Sequence, residues 1–339
     1  MEVRVAVADR RTLAAFAATA VFFGGTFVAA KAGLAYFPPL LFVALRFDVA
    51  AVALAAYAVA TTAREDLLPK TRGDAVGIFA TGVLAIGLTN ALLFVGQQYA
   101  TSAVASIVFS LNPILTPVFA AALLADERLS ARGAAGMVLG LLGVGLVVNP
   151  DPAMLADGGV GQLILFAGAV TGALGSVLIR WADSTISSTV RTAWGLPFAA
   201  ALSHALSLGA GESAASIVWT PEAVLALAYV GIFAGAIAYI AYFGLLDRTG
   251  AIRANLVFYA VPVVSTLGGW ALLDERISGL AIVGFLTIFA GFAVLGTEDV
   301  DVRGQVARLA GRLPDEIVDA EDAEERLGIR NEPRGFESD

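Results

Sequence analysis

The chain has 339 residues, of which 58% are hydrophobic and only 15% charged, and its mean hydropathy is +0.81. Soluble domains carry about 25% charged residues, so this composition excludes a globular protein with an ordinary solvated surface. With no cysteine, disulfides, thiolate metal sites and cysteine nucleophiles are excluded as well. The formal charge of −8 gathers after Gly296, where the run Glu321-Asp322-Ala323-Glu324-Glu325 stands out. Of the 21 basic residues only Lys31 and Lys70 are lysines. An acidic, lysine-poor exterior suits a salt-rich cytoplasm, and a halophilic archaeal source is expected.

Apolar runs of membrane length recur from Leu13 almost to Gly296, and about 20 such residues cross a bilayer core of roughly 30 Å. They are continuously apolar rather than alternating, which predicts helices instead of barrel strands. The 36 glycines allow the close helix packing that membrane bundles need.

Arg4, Arg10 and Arg11 precede the first run like a signal-peptide n-region, but the run continues to about Tyr36, so a retained first helix is expected. Pro38-Pro39 turns the chain into a second helix from about Leu40 to Ala60. After a loop holding Arg64, Lys70 and Arg72, a third helix covers about Ala75 to Gln97 and a fourth about Ser102 to Leu124. The charged phrase Asp126-Glu127-Arg128-Leu129-Ser130 leads into a fifth helix, about Gly133 to Val148, stopped by Asn149-Pro150-Asp151-Pro152. A sixth helix is expected at about Gly161 to Ile179 and a seventh at about Ser187 to Leu208. A polar loop holding Glu212 and Pro221 precedes an eighth, about Ala223 to Leu245. A ninth covers about Ala251 to Leu273 and a tenth about Leu280 to Leu295.

The charged phrase returns as Asp274-Glu275-Arg276-Ile277-Ser278, 148 positions on (275 − 127). Gly136 and Gly143 follow Glu127 at the spacing by which Gly284 and Gly291 follow Glu275, and Pro113 and Pro262 precede the two copies. A fixed-spacing echo signals duplication. The expected fold class is therefore an all-α membrane protein with ten transmembrane helices in two five-helix repeats. Residues 12–149 form the first repeat, 150–160 a linker and 161–296 the second; 1–11 is a cytoplasmic N-terminus. Because five is odd, the repeats must insert with opposite orientation.

Basic residues agree with cytoplasmic termini. Arg64, Lys70, Arg72, Arg128, Arg132, Arg180, Arg191, Arg248 and Arg253 then fall inside, and only Lys31 and Arg276 outside. In the tail, residues 297–339, Val302, Val306, Leu309 and Leu313 interleave with arginines, a pattern that suits the inner membrane surface. The acidic remainder reads as disordered.

Pro113, Pro117 and Pro262 break helices four and nine and free carbonyls one turn earlier, which lipid cannot satisfy but a cavity can. Inverted repeats with midplane breaks are the architecture of secondary transporters. Arg46 and Asp48 place charge inside helix two, two positions apart and so on different faces. Asp48 needs a partner on another helix, for which Lys31 is the candidate, or it is protonated; the charges serve either coupling or structure. Lys31 and Arg180 end the first helix of each repeat and are expected to snorkel to the interface. Asn90, Ser110 and Asn112, with Tyr239, Tyr242, Asn255 and Tyr259, are the candidate substrate-binding groups. Trp194 and Trp219 read as interfacial anchors, and His204 as exposed. Glu127 and Glu275 lie in loops at opposite faces and cannot share a site; Ser130 and Ser278 read as N-caps of helices five and ten, with the acids beside them.

Phe23-Gly24-Gly25-Thr26-Phe27-Val28-Ala29-Ala30-Lys31 resembles the W-G-x-N-F-x-x-x-K phrase of the drug/metabolite transporter superfamily. Arg46 after the proline turn, Pro113 with Glu127, and Pro262 with Glu275 extend the resemblance to its ten-helix EamA branch. Phe23 and Thr26 replace the family's tryptophan and asparagine. The resemblance implies a secondary transporter of small organic metabolites, such as amino acids and aromatic or drug-like solutes, working in export by alternating access. It implies a small-molecule substrate, a lipid bilayer, no nucleic acid, no cofactor and no metal, in a monomer or homodimer. A flippase for lipids or lipid-linked sugars on the same scaffold is the alternative. No G-x-x-x-x-G-K-[ST] loop is present, so ATP is not the direct energy source. Asp48 alone cannot make an intramembrane aspartyl dyad, which argues against an enzyme.

Overall fold

Proline and short hydroxyl side chains punctuate the helices. The structure, a computed structural model, describes residues 10–124, 131–148, 159–242, 245, 257–276 and 278–296. In chain order the helices are α1 (Arg10–Gly33), α2 (Pro39–Thr61), α3 (Arg72–Gln97), α4 (Ser102–Leu123) and α5 (Ala131–Val148). They continue with α6 (Gly159–Trp181), α7 (Ser188–Gly209), α8 (Pro221–Tyr242), α9 (Val257–Leu273) and α10 (Gly279–Gly296). Pro39 opens α2 and Pro221 opens α8, each at a first-turn position where a missing N–H costs nothing. Thr71, Thr101, Ser187 and Thr220 cap α3, α4, α7 and α8 by accepting from backbone N–H groups of the first turn. Ser278 does the same for α10 through the N–H of Ala281, as its position implied.

Six of these helices, α1–α4, α6 and α8, are long and apolar enough to cross a membrane by length and composition. The ends differ from the sequence reading by a few residues: α1 stops at Gly33 rather than near Tyr36, α3 begins at Arg72 and α6 at Gly159. Two helices are not regular. In α3 the stretch Ala80–Leu88 and in α8 the stretch Tyr229–Ile237 are wound as wide π-helix, nine residues each and 149 positions apart (229 − 80). Within one residue, the chain spacing that relates the charged phrases thus relates a rare backbone feature as well. In α4, Ser110 and Leu111 interrupt the helix just before Asn112-Pro113, and Pro117 lies within the second half.

All contacts described here lie within the unit Met1–Leu295. Helix pairing runs across the two halves of the chain. The two most extensive contacts join α3 to α6 and α2 to α7, and other large ones come in corresponding pairs: α1 on α9 with α6 on α4, and α7 on α3 with α2 on α8. Glycines set how closely the backbones approach. A Cβ at Gly24 would stand 2.6 Å from the Cβ of Val264 and 3.0 Å from the carbonyl of Val261, so α1 and α9 touch backbone to backbone there. The glycines of the sequence echo meet one another: Gly143 of α5 lies against the carbonyl of Gly284 in α10, and Gly291 of α10 against the carbonyl of Gly136 in α5. Those two contacts require α5 and α10 to run antiparallel.

The apolar core centres on α2 and α3, where Phe42, Phe47 and Phe94 are fully buried and Phe37 stacks on Phe42 at 4.6 Å. Carboxylates tie the halves together by capping helix ends. Asp74, wholly buried, accepts from the backbone of Lys70 and Thr71 at 2.9 Å and, across the chain, from Thr185 N at 2.6 Å and Ser184 Oγ at 2.9 Å. Glu212 accepts from the N–H groups of Leu40 and Leu41 at the start of α2.

Candidate functional site

The site begins with Arg46, whose guanidinium is carried by α2 into the apolar interior, where the residue is 3% exposed. Its Nη1 donates to Oδ1 of Asn90 on α3 at 2.9 Å. Asn90 donates from Nδ2 to the carbonyl of Ile86 at 2.8 Å, which holds its oxygen toward the arginine. The guanidinium lies 5.0 Å from the ring centre of Phe47 and 5.4 Å from that of Phe94. Arg46 Nε is buried with no hydrogen-bond partner, and among the described residues no carboxylate pairs with the side chain. An unneutralised buried charge is expensive, so this is a polarised point in an otherwise apolar core.

Beside it stands an aromatic wall. Phe23 of α1 meets Tyr239 of α8 edge-on at 5.4 Å, lies 6.1 Å from Tyr242 and stacks on Phe258 of α9 at 6.0 Å. Tyr242 and Phe258 are 5.6 Å apart. Tyr239 is within electrostatic range of Arg46, which joins the wall to the charge. Four of the candidate residues, Arg46, Asn90, Tyr239 and Tyr242, therefore share one neighbourhood built from both halves of the chain. Phe23 and Phe258 belong to it too. Sequence reasoning named Phe23 only as the replacement for the tryptophan of the first-helix phrase and did not single out Phe258.

Asn112 and Ser110 belong to a second polar group. Asn112 packs against Gly172 of α6, and the hydroxyls of Thr89 and Thr171 meet nearby, 3.1 Å apart, between α3 and α6. Thr116 donates to the Asn112 carbonyl at 2.8 Å, while buried Ser110 donates to the carbonyl of Ser106 at 3.0 Å, within its own helix. Asn255, Glu127 and Ser130 lie outside the described residues, as do the side chains of Tyr259 and Pro113. Pro262, within α9, borders an apolar cleft of about 210 Å³ lined by Ile107, Val263, Thr266, Leu267, Ile282 and Phe285.

Three expectations about charge are corrected. Asp48 does not pair with Lys31; it meets His204 Nε2 on α7 at 2.9 Å, with the two side chains 48% and 41% exposed. Two positions from Arg46 the helix has turned about 200°, so Asp48 faces outward while Arg46 faces in. Nor does Lys31 snorkel: its Nζ donates to the carbonyl of Gln97 at 2.7 Å, and Glu275 lies within charge range. Glu275 serves α4 rather than α10. Its carboxylate accepts from the N–H of Ser102 at 3.0 Å, placing negative charge at the positive end of α4, from the opposite half of the chain. Trp194 donates to the carbonyl of Leu67 at 2.7 Å, Trp219 meets Phe37 edge-on, and Arg180 is exposed.

A bundle of membrane-length helices enclosing a charged and aromatic site defines a multi-pass membrane protein. The profile of the EamA-like transporter family matches residues 10–149 and again residues 159–297. The chain belongs to that family. An uncharacterized transporter of Archaeoglobus fulgidus is 26% identical over 82% of this chain and 96% of its own length. The uncharacterized transporter YyaM of Bacillus subtilis is 29% identical over 81% of this chain and 88% of its own. A chloroplastic WAT1-related protein of Arabidopsis thaliana is 25% identical over 78% of this chain and 64% of its own. A solved crystal structure with 25% sequence identity aligns with a TM-score of 0.59 over 84% of this chain and 96% of that one.

Proposed function

We propose that the protein is a secondary transporter that exports small organic metabolites by alternating access between two inverted repeats. Each repeat contributes five transmembrane helices, residues 12–149 and 161–296, and both termini are cytoplasmic. The observation that carries the reading is the placement of Arg46, Asn90, Tyr239 and Tyr242 in one buried neighbourhood at the junction of the two halves. A site at that junction changes its access when the halves rock against each other. Support for inverted repeats comes from the reciprocal glycine contacts of α5 and α10 and from the equivalent π-helical stretches of α3 and α8. The polar group at Asn112, Thr89 and Thr171 is the counterpart available when the halves shift. Monomer and homodimer are both compatible with this mechanism.

The test is uptake of a broad metabolite panel into proteoliposomes, with and without a pH gradient. Saturable transport above empty vesicles is expected, and a gradient effect would identify proton coupling. One observation favours the flippase as second reading, the apolar cleft between α4, α9 and α10, where a lipid chain would fit. Lipid scrambling by vesicles that move no metabolite would select it.

A further inference from the structure

Arg46 is buried, and among the described residues its Nε has no partner and its one side-chain acceptor is the neutral amide oxygen of Asn90. We propose that the transported solute is an organic monoanion with an aromatic or apolar body, whose anionic head completes the coordination of Arg46 against the Phe23–Tyr239–Tyr242–Phe258 wall. This names the substrate class of the site described above and rests on the transporter reading.

The argument is one of compensation. A guanidinium offers five N–H donors in a planar fork, suited to a carboxylate. Asn90 satisfies one of them without neutralising the charge. Asp48, the nearest acid in sequence, is committed to His204 on the outer face. Glu275 and Glu212 are committed to the starts of α4 and α2. The described acids that turn inward thus have helix ends to serve, and Arg46 keeps its charge for a ligand. An anion delivered to Nε exchanges its lost hydration for a charge-assisted hydrogen bond in a low-dielectric setting. The aromatic wall sets the other end of the solute. Phe23 and Phe258 lie nearly parallel, 11° apart with centres 6.0 Å apart, and Tyr239 meets Phe23 edge-on, so the wall offers apolar area to the body of the solute. No described acid faces the wall to receive an ammonium group, so a zwitterion gains at its carboxylate and loses at its amine, beside an existing positive charge.

Three probes share a benzene ring and differ in charge: phenylpyruvate as monoanion, phenylalanine as zwitterion and phenyltrimethylammonium as permanent cation. With the wild-type protein in liposomes, phenylpyruvate should exceed the other two in kcat/KM by about tenfold or more, the scale of a desolvated charge contact. Arg46→Gln should remove that preference, and Arg46→Lys should restore part of it. If Arg46→Gln does not fold, the wild-type comparison alone decides. Equal or better transport of phenylalanine or the cation overturns the proposal and leaves the transporter reading standing, as does a folded Arg46→Gln protein that still prefers the anion. If none of the three moves, the charge of whichever panel solute does move decides by the same criterion. A panel in which nothing moves overturns both readings.

Discussion

Two charges two residues apart in α2 have opposite fates. Arg46 turns into the core, where the Phe47 and Phe94 rings flank its guanidinium and Asn90 takes one donor. Asp48 turns outward and meets His204 with nearly half of its side chain exposed, on helices that lie in the bilayer under the transporter reading. On a lipid-facing surface a lone ionisable group costs more than a bonded pair. Asp48→Ala and His204→Ala should therefore each lower stability by about 0.5–2 kcal/mol, while the double variant, which leaves no orphan, should recover much of that loss. Thermal unfolding in a lipid-like detergent reads the cycle. A double variant that loses the sum of the two single effects would remove the pairing from the account.

At the scale of elements, the irregular helices matter more than the regular ones. Pro262 lies one turn after Phe258 in α9 and leaves the Phe258 carbonyl without its helical donor. The same helix is held close to α1 at Gly24, so a bend in α9 sets where the Phe258 ring stands relative to Phe23. Pro262→Ala should add a backbone hydrogen bond and raise stability by up to about 3 kcal/mol, while initial transport rates fall because the straighter helix re-aims Phe258. A stabilised protein with unchanged rates would show that the bend has no part in transport. The π-helical stretches of α3 and α8 belong with this feature. Wide turns leave helical register free to adjust, and Asn90 lies two residues past the one in α3.

For the whole molecule, orientation is the property most open to direct measurement. The chain has no cysteine, so a single introduced thiol reports its own side of the membrane. Ala215, exposed between α7 and α8, lies on the outer side in the proposed arrangement, and Glu65, exposed between α2 and α3, on the inner side. A membrane-impermeant maleimide should label Ala215→Cys in intact cells and Glu65→Cys only after lysis. The reverse pattern would invert the arrangement.

The sequence by itself determined the membrane character, the duplication and, among the described residues, the helix positions to within a few residues, because each is a property of local composition and of spacing along the chain. It also marked Arg46, Asn90, Tyr239 and Tyr242, since polar groups in apolar runs stand out wherever they fold. Only the tertiary structure decided partners. Nothing in the chain order of Asp48 points to His204, nor in that of Glu275 to Ser102, because both pairs join the two halves of the chain. Phe23 and Phe258 stayed hidden for a related reason. A phenylalanine in an apolar helix looks the same facing lipid, core or solute, and only its neighbours show which surface it serves.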